Sequence, residues 1–359
     1  MKKLLLVALL CAVSAICFGQ DRAPLRVAIA GVAHGHVGAV NSAARDGEIE
    51  LVGIFEKDPE VRAANSLAKR YPDMVYDDLG AMLDAVRPEA VMAYGSVFDH
   101  LSVVEACAPR GIHVMVEKPL AVSGDHARKM ARLARENNIH LLTNYETTWY
   151  PTNHRAYEIV TAGEIGDITR MTIYDGHQGP VEIGCGPEFL AWLTDPVLNG
   201  GGAVVDFGCY GANLATWLLG GQRPVSVYAV LKQLKPELYP RVDDDATILV
   251  EYPDCTVEIM ASWSWPMGRK DMHIYGEKGY VYQDNARDMR VGTEREVTSE
   301  RPGDLPASMG NPFLYLTAVV RGEIVPRPDD LSALENNLTV VEILDAARES
   351  ARTKKAVKF

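Results

Sequence analysis

Residues 25–38 read Leu-Arg-Val-Ala-Ile-Ala-Gly-Val-Ala-His-Gly-His-Val-Gly, and this stretch decides the fold of the first part of the chain. The run from Leu25 to Ala30 is short and apolar, which is typical of a buried strand in a parallel sheet. It ends at Gly31 and leads into residues 36–45, which we predict to be helical. Such a turn presents free amides and the positive end of a helix dipole, and it can therefore bind a dinucleotide pyrophosphate.

The glycine pattern of this turn departs from the usual G-x-G-x-x-G. Gly31 occupies the first position, but Ala33 and His36 occupy the second and third. The turn alone is a weak signal, because many such turns are purely structural. His34 and His36 form an H-x-H pair, which could pack within the turn, contact the phosphate or nicotinamide, or hold a metal ion. No third metal ligand lies nearby in sequence, so we predict no metal site.

An acidic residue supports a cofactor site. Residues 49–55 predict a second strand, and Glu56 lies just past its end. A carboxylate there can accept hydrogen bonds from both hydroxyls of an adenine ribose and would repel a 2′-phosphate, which favours NAD over NADP. The adjacent Lys57 weakens that preference, and an ordinary solvated turn residue is the alternative interpretation of Glu56.

The rest of the first half alternates strands with helices. Further strands are predicted at 90–94, 113–116 and 141–143, and helices at 60–71, 79–86, 101–110 and 125–138. This alternation is typical of a doubly wound parallel sheet with helices on both faces. We therefore predict an α/β fold that begins with a Rossmann domain over residues 24–148.

The second half has a different pattern. Runs with two-residue alternation predict strands at 169–174, 225–232, 247–252, 256–263 and 271–275, and helices are predicted at 153–162, 204–219 and 332–353. Alternation of this kind indicates an antiparallel sheet with one covered face. We predict an α+β domain over residues 149–359, with a mostly antiparallel open sheet and a closing C-terminal helix.

The first 20 residues resemble a secretory signal peptide. A basic start, Lys2-Lys3, precedes an apolar run at 4–18 and then small and polar residues. We expect a periplasmic or secreted protein, with an uncleaved membrane anchor as the alternative. The net charge is −12 before the two lysines are removed, which argues against nucleic acid and anionic membranes as partners. The four cysteines beyond the leader match no zinc pattern, and most are expected in the core: Cys107, Cys185, Cys209 and Cys255.

Two motifs carry a resemblance to a known family. Glu117-Lys118-Pro119 follows the fourth strand directly, and residues 200–213 read Gly-Gly-Gly-Ala-Val-Val-Asp-Phe-Gly-Cys-Tyr-Gly-Ala-Asn. With these motifs the chain resembles the glucose–fructose oxidoreductase, inositol dehydrogenase and rhizopine catabolism (Gfo/Idh/MocA) family over nearly all of its length after the leader. The second motif is similar to the family's G-G-G-x-x-x-D-x-G-x-H-x-x-D, but Tyr210 stands at the histidine and Asn213 at the last aspartate.

The resemblance implies a nicotinamide cofactor and a sugar, inositol or related polyol as substrate. It implies that Lys118 is the catalytic lysine, that Glu117 and Lys118 contact the cofactor, and that His100 aligns with a substrate-site histidine on the helix after the third strand. It also implies a homodimer or homotetramer. We expect NAD, with NADP as the alternative, and we expect it to be held tightly because free NAD is scarce outside the cytoplasm.

The motif residues suggest roles in oxidising a hydroxyl group. Asp206, Tyr210 and Asn213 are spaced i, i+4 and i+7, which places them on one helix face. We predict that Lys118 lowers the pKa of Tyr210 so that Tyr210 is the acid/base. Asp206 would bind or orient sugar hydroxyls, and Asn213 would add a neutral hydrogen bond.

Two further residues are candidates on weaker grounds, since no motif contains them. His177, in the polar stretch after the first strand of the second domain, is a candidate substrate residue, and Tyr145 after the fifth strand is a candidate for the nicotinamide pocket.

Three functions remain open at this point. The leading one is an exported NAD(P)-dependent oxidoreductase that acts on a CH–OH group of a sugar, sugar derivative or polyol. The second is a redox-neutral, NAD-dependent glycosidase that oxidises its sugar only transiently. The third is a sugar-binding protein without catalysis, since a fold alone does not decide function.

Overall fold

The computed structural model describes residues 23–359, so the predicted signal peptide lies outside the described residues. The first sheet has six parallel strands: β1 Leu25–Ala30, β2 Ile49–Phe55, β3 Val75–Tyr76, β4 Ala90–Ala93, β5 His113–Glu117 and β6 Leu141–Asn144. Their order in the sheet is β3-β2-β1-β4-β5-β6, which confirms the predicted doubly wound α/β domain. The strands are almost continuously buried, because helices cover both faces of the sheet.

The helices of this half are α1 Gly38–Arg45, α2 Pro59–Ala64, α3 Ser66–Arg70, α4 Leu79–Val86, α5 His100–Cys107 and α6 Gly124–Glu136. The next helix, α7 Pro151–Thr161, contributes Ala156 and Ile159 to the core of the second sheet. The single helix predicted at 60–71 is two helices. Asn65 has an extended backbone, and its side-chain oxygen accepts hydrogen bonds from the amides of Leu67 and Ala68. It caps α3, which ends α2 one residue earlier.

The second sheet is mostly antiparallel, as predicted. Its strands are β7 Ile168–Gly176, β8 Ser226–Lys232, β9 Asp245–Glu251, β10 Thr256–Ser262, β11 Arg269–Gly276, β12 Tyr280–Gln283, β13 Met289–Gly292, β14 Val297–Glu300 and β15 Val357–Lys358. Their order is β14-β13-β12-β11-β7-β10-β9-β8-β15, and the central pair β7 and β10 is parallel. The helices of this half are α8 Pro187–Leu193, α9 Ala203–Asp206, α10 Gly208–Leu218, α11 Pro312–Val320 and α12 Leu334–Thr353.

The C-terminal part of the chain returns to the first sheet. Phe313, Leu316 and Val319 of α11 lie in the same apolar core as residues of β1 and β2. Val341 of α12 packs with the core on the other side of that sheet, whereas Ile343 belongs to the core of the second sheet. The two halves therefore share buried contacts, which fixes the position of one relative to the other. Within residues 23–359, no helix combines the length and apolarity needed to cross a membrane.

Candidate active site between the two halves

Two cavities meet at the loop from Gly31 to His36. The first, of about 870 Å³, lies over the carboxyl ends of β1, β2 and β4. The second, of about 580 Å³, lies between the same loop and the second sheet. Ala33 and Glu188 line both cavities, so a ligand that fills the first one reaches the second. Ligands of open α/β sheets bind at this edge.

The loop beneath the first cavity requires glycine at its start. Gly31 has φ +80°, and an added Cβ would lie 2.6 Å from the backbone nitrogen of Gly95. Glu56 is buried, and its two carboxylate oxygens accept hydrogen bonds from the amides of Val32 and Asp58, each at 3.0 Å. Glu56 is therefore not a solvated turn residue. It holds the glycine loop, and it also lines the cavity where a ribose would be expected.

His100 lies in the first cavity rather than beside Lys118. Its Nδ1 is 3.1 Å from the carbonyl oxygen of Leu120, and its buried Nε2 has no hydrogen-bond partner among the residues that the structure describes. Burial lowers the pKa of His100 to about 4, so the ring is neutral at pH 7. The role of His100 in substrate binding stays a prediction, and its side chain lines the groove of the first sheet. Its unpaired Nε2 suits a cofactor hydroxyl, which fits a dinucleotide in this groove.

The charges around the first cavity are mostly negative. Its carboxylates are Glu56, Asp58, Glu60, Asp78, Asp99 and Glu188. Among residues 23–359, Lys57 is the one cation of its lining, and this ammonium is largely exposed, 3.7 Å from Asp99. A 2′-phosphate at Glu56 would meet this negative field, whereas a free ribose would not.

Lys118 and Asp206 form a buried ion pair in the second cavity. The Nζ of Lys118 donates to the carboxylate of Asp206 and, at 2.9 Å, to its backbone oxygen. The other carboxylate oxygen accepts a hydrogen bond of 2.8 Å from Nε1 of Trp263. Burial opposes both charges, but Asp206 raises the pKa of Lys118 and Lys118 holds the pKa of Asp206 below its usual value. Asp206 thus orients Lys118, whose third N–H is left for a ligand.

A break in the predicted helix 204–219 separates the motif residues. Phe207 has φ −110°, so α9 ends at Asp206 and α10 starts at Gly208. Asn213 is fully buried, and its amide donates to the carbonyl of Leu331 and to the side chain of Asn336, at 2.8 and 3.0 Å. The prediction that Asn213 binds substrate is wrong, because this side chain ties α10 to the start of α12.

Tyr210 lines the second cavity with its ring between two ammonium groups. Its centroid lies 5.1 Å from Nζ of Lys118 and 4.5 Å from Nζ of Lys270. Burial raises the pKa of Tyr210 well above its usual value, and the carboxylates of Asp175 and Glu146 add to the shift. The prediction that Lys118 lowers this pKa is wrong, because the ammonium faces the ring while burial dominates. Tyr210 is therefore a neutral hydrogen-bonding phenol.

Tyr145 stands behind Tyr210. It is fully buried, with its ring edge-on to that of Tyr210 at 5.3 Å, and it lines neither of the two cavities. The prediction that it lines the nicotinamide pocket is wrong. Its place at the end of β6 makes it part of the wall that supports Tyr210.

His34 and His177 both line the second cavity, and their tautomers are set by backbone amides. Nδ1 of His34 accepts from the amide of His36 at 3.1 Å, and Nδ1 of His177 accepts from that of Gly179 at 2.9 Å. Burial lowers the pKa of His34 to about 3 and that of His177 below its usual value. Each ring is neutral with its proton on Nε2, so each offers a donor to the cavity.

His36, which lines the same cavity, contacts the buried Glu117. Nδ1 of His36 lies 3.1 Å from one oxygen of Glu117, and the other oxygen accepts a 2.8 Å hydrogen bond from Asn144. Burial would raise the pKa of Glu117, but His36 and Asn144 help to lower it to about 2. Glu117 in turn raises the pKa of His36.

The H-x-H pair does have a third potential metal ligand beside it, which corrects the expectation from the sequence. Ligand atoms of His34, His36 and Glu117 all lie within 4.8 Å of one another. However, Nδ1 of His34 already accepts an amide hydrogen, so its neutral ring carries a proton on Nε2 and has no lone pair for a metal. The absence of a metal stays a prediction, now resting on this tautomer.

Three ionisable residues of the site were not among the sequence candidates, although Asp175 stands two positions before His177 in the same polar stretch. Glu146 and Lys270 line the second cavity and form an ion pair across it. Asp175, at the end of β7, is buried behind them with one oxygen unpaired, and burial raises its pKa to about 8. Lys270 lies on β11 without any motif around it, so only the pairing of β11 with β7 reveals its place.

Comparison with known proteins agrees with this geometry. Residues 25–145 match the oxidoreductase family with an NAD-binding Rossmann fold, and residues 153–282 match the GFO/IDH/MocA C-terminal domain. The chain is 32% identical over 209 residues to D-glucoside 3-dehydrogenase of Escherichia coli, which covers 57% of each chain. It is 27% identical to D-xylose 1-dehydrogenase (NADP(+)) 2 of Haloferax volcanii, over 72% of this chain and 77% of that one. The alignment thus spans little more than half of the glucoside dehydrogenase.

Solved structures share the fold over nearly the whole chain. An aldose-aldose oxidoreductase from Caulobacter crescentus complexed with glycerol aligns with a TM-score of 0.78 and 21% identity, over 94% of this chain and all of that one. A levoglucosan dehydrogenase in complex with NADH and levoglucosan aligns with a TM-score of 0.76 and 20% identity, over 93% and 99%. Both halves of the fold and both sequence matches agree: the chain belongs to the GFO/IDH/MocA oxidoreductase family.

Proposed function

We propose that the protein is an exported, NAD-dependent oxidoreductase that oxidises a CH–OH group of a sugar, sugar derivative or polyol. The observation that carries this proposal is the meeting of two cavities at one loop. A groove suited to a dinucleotide opens directly into a polar chamber that contains Lys118. The chemistry that a bound nicotinamide supplies is acceptance of the hydride from the carbinol carbon.

The lining of the second cavity favours a substrate with several hydroxyl groups. Lys118 offers its third N–H, and His34 and His177 each offer an Nε2–H. Glu146 is an exposed carboxylate that can accept from hydroxyls, and the phenol of Tyr210 can do either. Alternating donors and acceptors around a chamber suit a sugar or polyol better than an apolar alcohol. The named activities of the relatives, on glucosides and xylose, point to the same class.

The preference for NAD rests on the first cavity. Glu56 and five further carboxylates line this cavity, and Lys57 brings the single ammonium that the described part of the chain contributes to it. A second phosphate there would cost electrostatic energy. The relatives include an NADP-dependent xylose dehydrogenase, so cofactor choice differs within the family and needs its own measurement. We also infer tight retention, because α8 lies over the groove and contributes Pro187, Glu188 and Trp192 to its lining.

The first test identifies the bound molecule. The full chain is expressed with its leader, purified without added cofactor and denatured, and the released small molecules are identified by mass spectrometry. We expect NAD close to one per chain. NADP in its place would contradict the assigned preference. An empty protein that also fails to bind added NAD(H) and NADP(H) would overturn the oxidoreductase proposal.

The second test identifies the reaction. Methyl β-D-glucopyranoside and D-xylose are added in turn to the loaded protein, and the absorbance of reduced nicotinamide is followed. We expect one of these sugar classes to reduce the cofactor. Release of nitrophenol from a nitrophenyl glycoside with no net reduction would favour the redox-neutral glycosidase instead. The Lys118→Met variant is the control, because it should keep the cofactor and lose either reaction.

The proposed cellular location is tested in the same expression culture. We infer export from the leader-like residues 1–20. N-terminal sequencing of the purified protein, together with its recovery from the periplasmic fraction, would support that inference. A protein that keeps Met1 and stays in the cytoplasm would contradict it.

A further inference from the structure

Resting on the function proposed above, we infer that the imidazole of His36, oriented by the carboxylate of Glu117, accepts the proton of the substrate hydroxyl. The resemblance to the family assigns this task to Tyr210, whose position usually carries a histidine. In this chain His36 lines the same cavity and is paired with the buried Glu117.

The contact with Glu117 leaves one nitrogen of His36 free, and His36 lines the cavity. Nδ1 lies 3.1 Å from Glu117 and donates its hydrogen to that carboxylate. In the neutral ring, Nε2 then carries a lone pair, and among the described residues it has no hydrogen-bond partner. The side chain is 42% exposed, so a ligand in the second cavity can reach it. The same arrangement fixes a base in hydrolases that use a histidine and a carboxylate.

Glu117 is itself held in place. The amide of Asn144, at the end of β6, donates to its second oxygen at 2.8 Å, and the indole of Trp149 donates to the oxygen of Asn144 at 3.1 Å. Glu117 is also almost fully buried, so its carboxylate has little freedom to turn away from His36. This chain of hydrogen bonds keeps the acceptor on Nε2 of His36 and its proton on Nδ1.

The other groups around the cavity are poorly suited to accept a proton. Tyr210 is a neutral phenol, and the ammonium of Lys118 is locked to Asp206. His34 and His177 carry their protons on Nε2, so they donate rather than accept. Glu146 is exposed and paired with Lys270, which keeps its carboxylate a weak base. His36 differs from these groups because it combines a free lone pair on Nε2 with a raised pKa. Asp175, whose pKa burial raises to about 8, is buried and does not line the cavity.

Several charges face His36 and set its titration. The groups are Glu117 and Lys118 at the end of β5, Glu146 after β6, and His34 in the same turn. Glu117 raises the pKa of His36, burial and the ammonium of Lys118 lower it, and Glu146 raises it again. The raised pKa makes the neutral ring a better proton acceptor, as general-base catalysis requires.

The proposed step balances with an oxidised nicotinamide as the electron acceptor. The O–H bond of the substrate breaks and its proton forms a bond to Nε2 of His36. The C–H bond of the same carbon breaks, and its electron pair leaves as hydride to the nicotinamide ring. A C=O bond forms, so the substrate loses two electrons that the cofactor gains. Lys118 donates to the oxygen throughout and stabilises the charge that develops on it.

The test begins with the imidazole itself, in the full-length protein labelled with ¹⁵N-histidine. The His36→Asn variant assigns the resonances of His36, and the titration is followed by NMR. We expect the neutral ring to be protonated on Nδ1 in the wild type. In Glu117→Gln we expect the midpoint to move down by roughly one pH unit, because the anionic partner is gone. A neutral His36 with its proton on Nε2, or a midpoint unchanged in Glu117→Gln, would overturn the proposal whether or not the protein is an oxidoreductase.

Kinetics then connect the titration to proton transfer. With the sugar that reduces the cofactor, we expect His36→Asn to lower kcat by roughly 10²–10⁴-fold while NAD remains bound. The rate should fall on the acidic side as His36 gains its proton, and that limb should move to lower pH in Glu117→Gln. His177→Asn is the matched comparison, since it lines the same cavity: its KM should rise while the acidic limb stays. Retention of wild-type kcat in His36→Asn would sink the assignment.

Discussion

The buried pair of Lys118 and Asp206 is the single interaction on which the second cavity depends most. Replacing Asp206 with Asn leaves a buried ammonium without a counter-charge, which costs about 3–5 kcal/mol in unfolding free energy. Burial then lowers the pKa of Lys118, so its charge and the activity should be lost at lower alkaline pH than in the wild type. Urea denaturation and the pH profile of kcat/KM measure the two effects. The double variant Asp206→Asn/Lys118→Met should regain part of the stability; if it is less stable than Asp206→Asn alone, the buried charge is not the cause.

Tyr210 should behave as a hydrogen-bonding residue. We expect Tyr210→Phe to lower kcat/KM by roughly tenfold or less, the value of one neutral hydrogen bond. The phenol does not titrate near neutral pH, since its pKa is well above the usual value, so the pH profile should keep its shape. Steady-state kinetics over a pH series decide the matter. A loss of a thousandfold, or the disappearance of a pH limb, would return the acid/base role to Tyr210.

Residues that belong to a motif could be assigned to the site from the sequence, whereas residues that reach it through a tertiary contact could not. Lys118, Asp206 and Tyr210 could be placed at one site because their motifs carry the family resemblance. The partner of His36 could not, because Glu117 lies 81 positions away and meets it only where β5 ends beside the glycine loop. The pKa of Tyr210 was mispredicted for the same reason. Proximity to Lys118 was foreseen, but burial and the position of the ammonium over the ring were not.

Among the elements, the turn between β1 and α1 requires glycine at its first position, Gly31. Gly31→Ala would place a Cβ 2.6 Å from Gly95 at a φ of +80°, so we expect a loss of about 2 kcal/mol or more in stability and weaker cofactor binding. Gly38→Ala is the matched control, because that glycine is helical and an added Cβ meets nothing within 4 Å. Its stability should rise by about 0.5–1 kcal/mol. Thermal unfolding of both variants measures the two changes in stability. Equal changes in Gly31→Ala and Gly38→Ala would contradict the requirement for glycine at position 31.

Elements with strong periodicity were predictable. β1, β2 and α4 have the bounds that their apolar runs indicate. Elements whose bounds depend on a cap or a tertiary contact were not. Asn65 divides one predicted helix and Phe207 another. Asn213 lies on the same helix as Tyr210, and its hydrogen bonds to Leu331 and Asn336 keep it out of the site. The helix α8 escaped prediction, because its seven residues are too short to show a helical period.

For the whole molecule, the second sheet leaves apolar side chains exposed. Tyr228 and Val230 of β8 and Leu249 of β9 are each more than a third exposed, although they alternate with fully buried neighbours. A homodimer or homotetramer stays a prediction. These exposed side chains are the surface through which we expect the copies to contact each other. Analytical ultracentrifugation of the wild type and a Tyr228→Glu/Leu249→Glu variant would measure it. Dissociation by these charges supports assembly through the open sheet, and a wild-type monomer contradicts it.

Residues from both halves of the molecule line the first cavity. We therefore expect the residues that cover it to control the rate at which the cofactor dissociates. Trp192 of α8 lies over the groove, with its ring stacked on His34 at 5.8 Å and against Phe189 at 4.9 Å. Its indole Nε1 is buried and has no hydrogen-bond partner, so it offers a donor to a phosphate or ribose oxygen. The helix α8 belongs to the second half, whereas the groove belongs to the first. Release of the cofactor therefore requires α8 to move away from the groove.

We therefore expect Trp192→Phe to speed dissociation of NAD by roughly tenfold, the value of a hydrogen bond to a charged group, and Trp192→Ala by more, because the ring is also lost. Exchange of bound NAD for isotopically labelled NAD, read by mass spectrometry, measures the rate. Trp217→Phe is the control, since Trp217 stacks on Tyr157 in the core of the second half and lines neither cavity. If Trp192→Ala exchanges as slowly as the wild type, α8 is not the barrier. Retention would then have to come from the glycine loop and Glu56 alone.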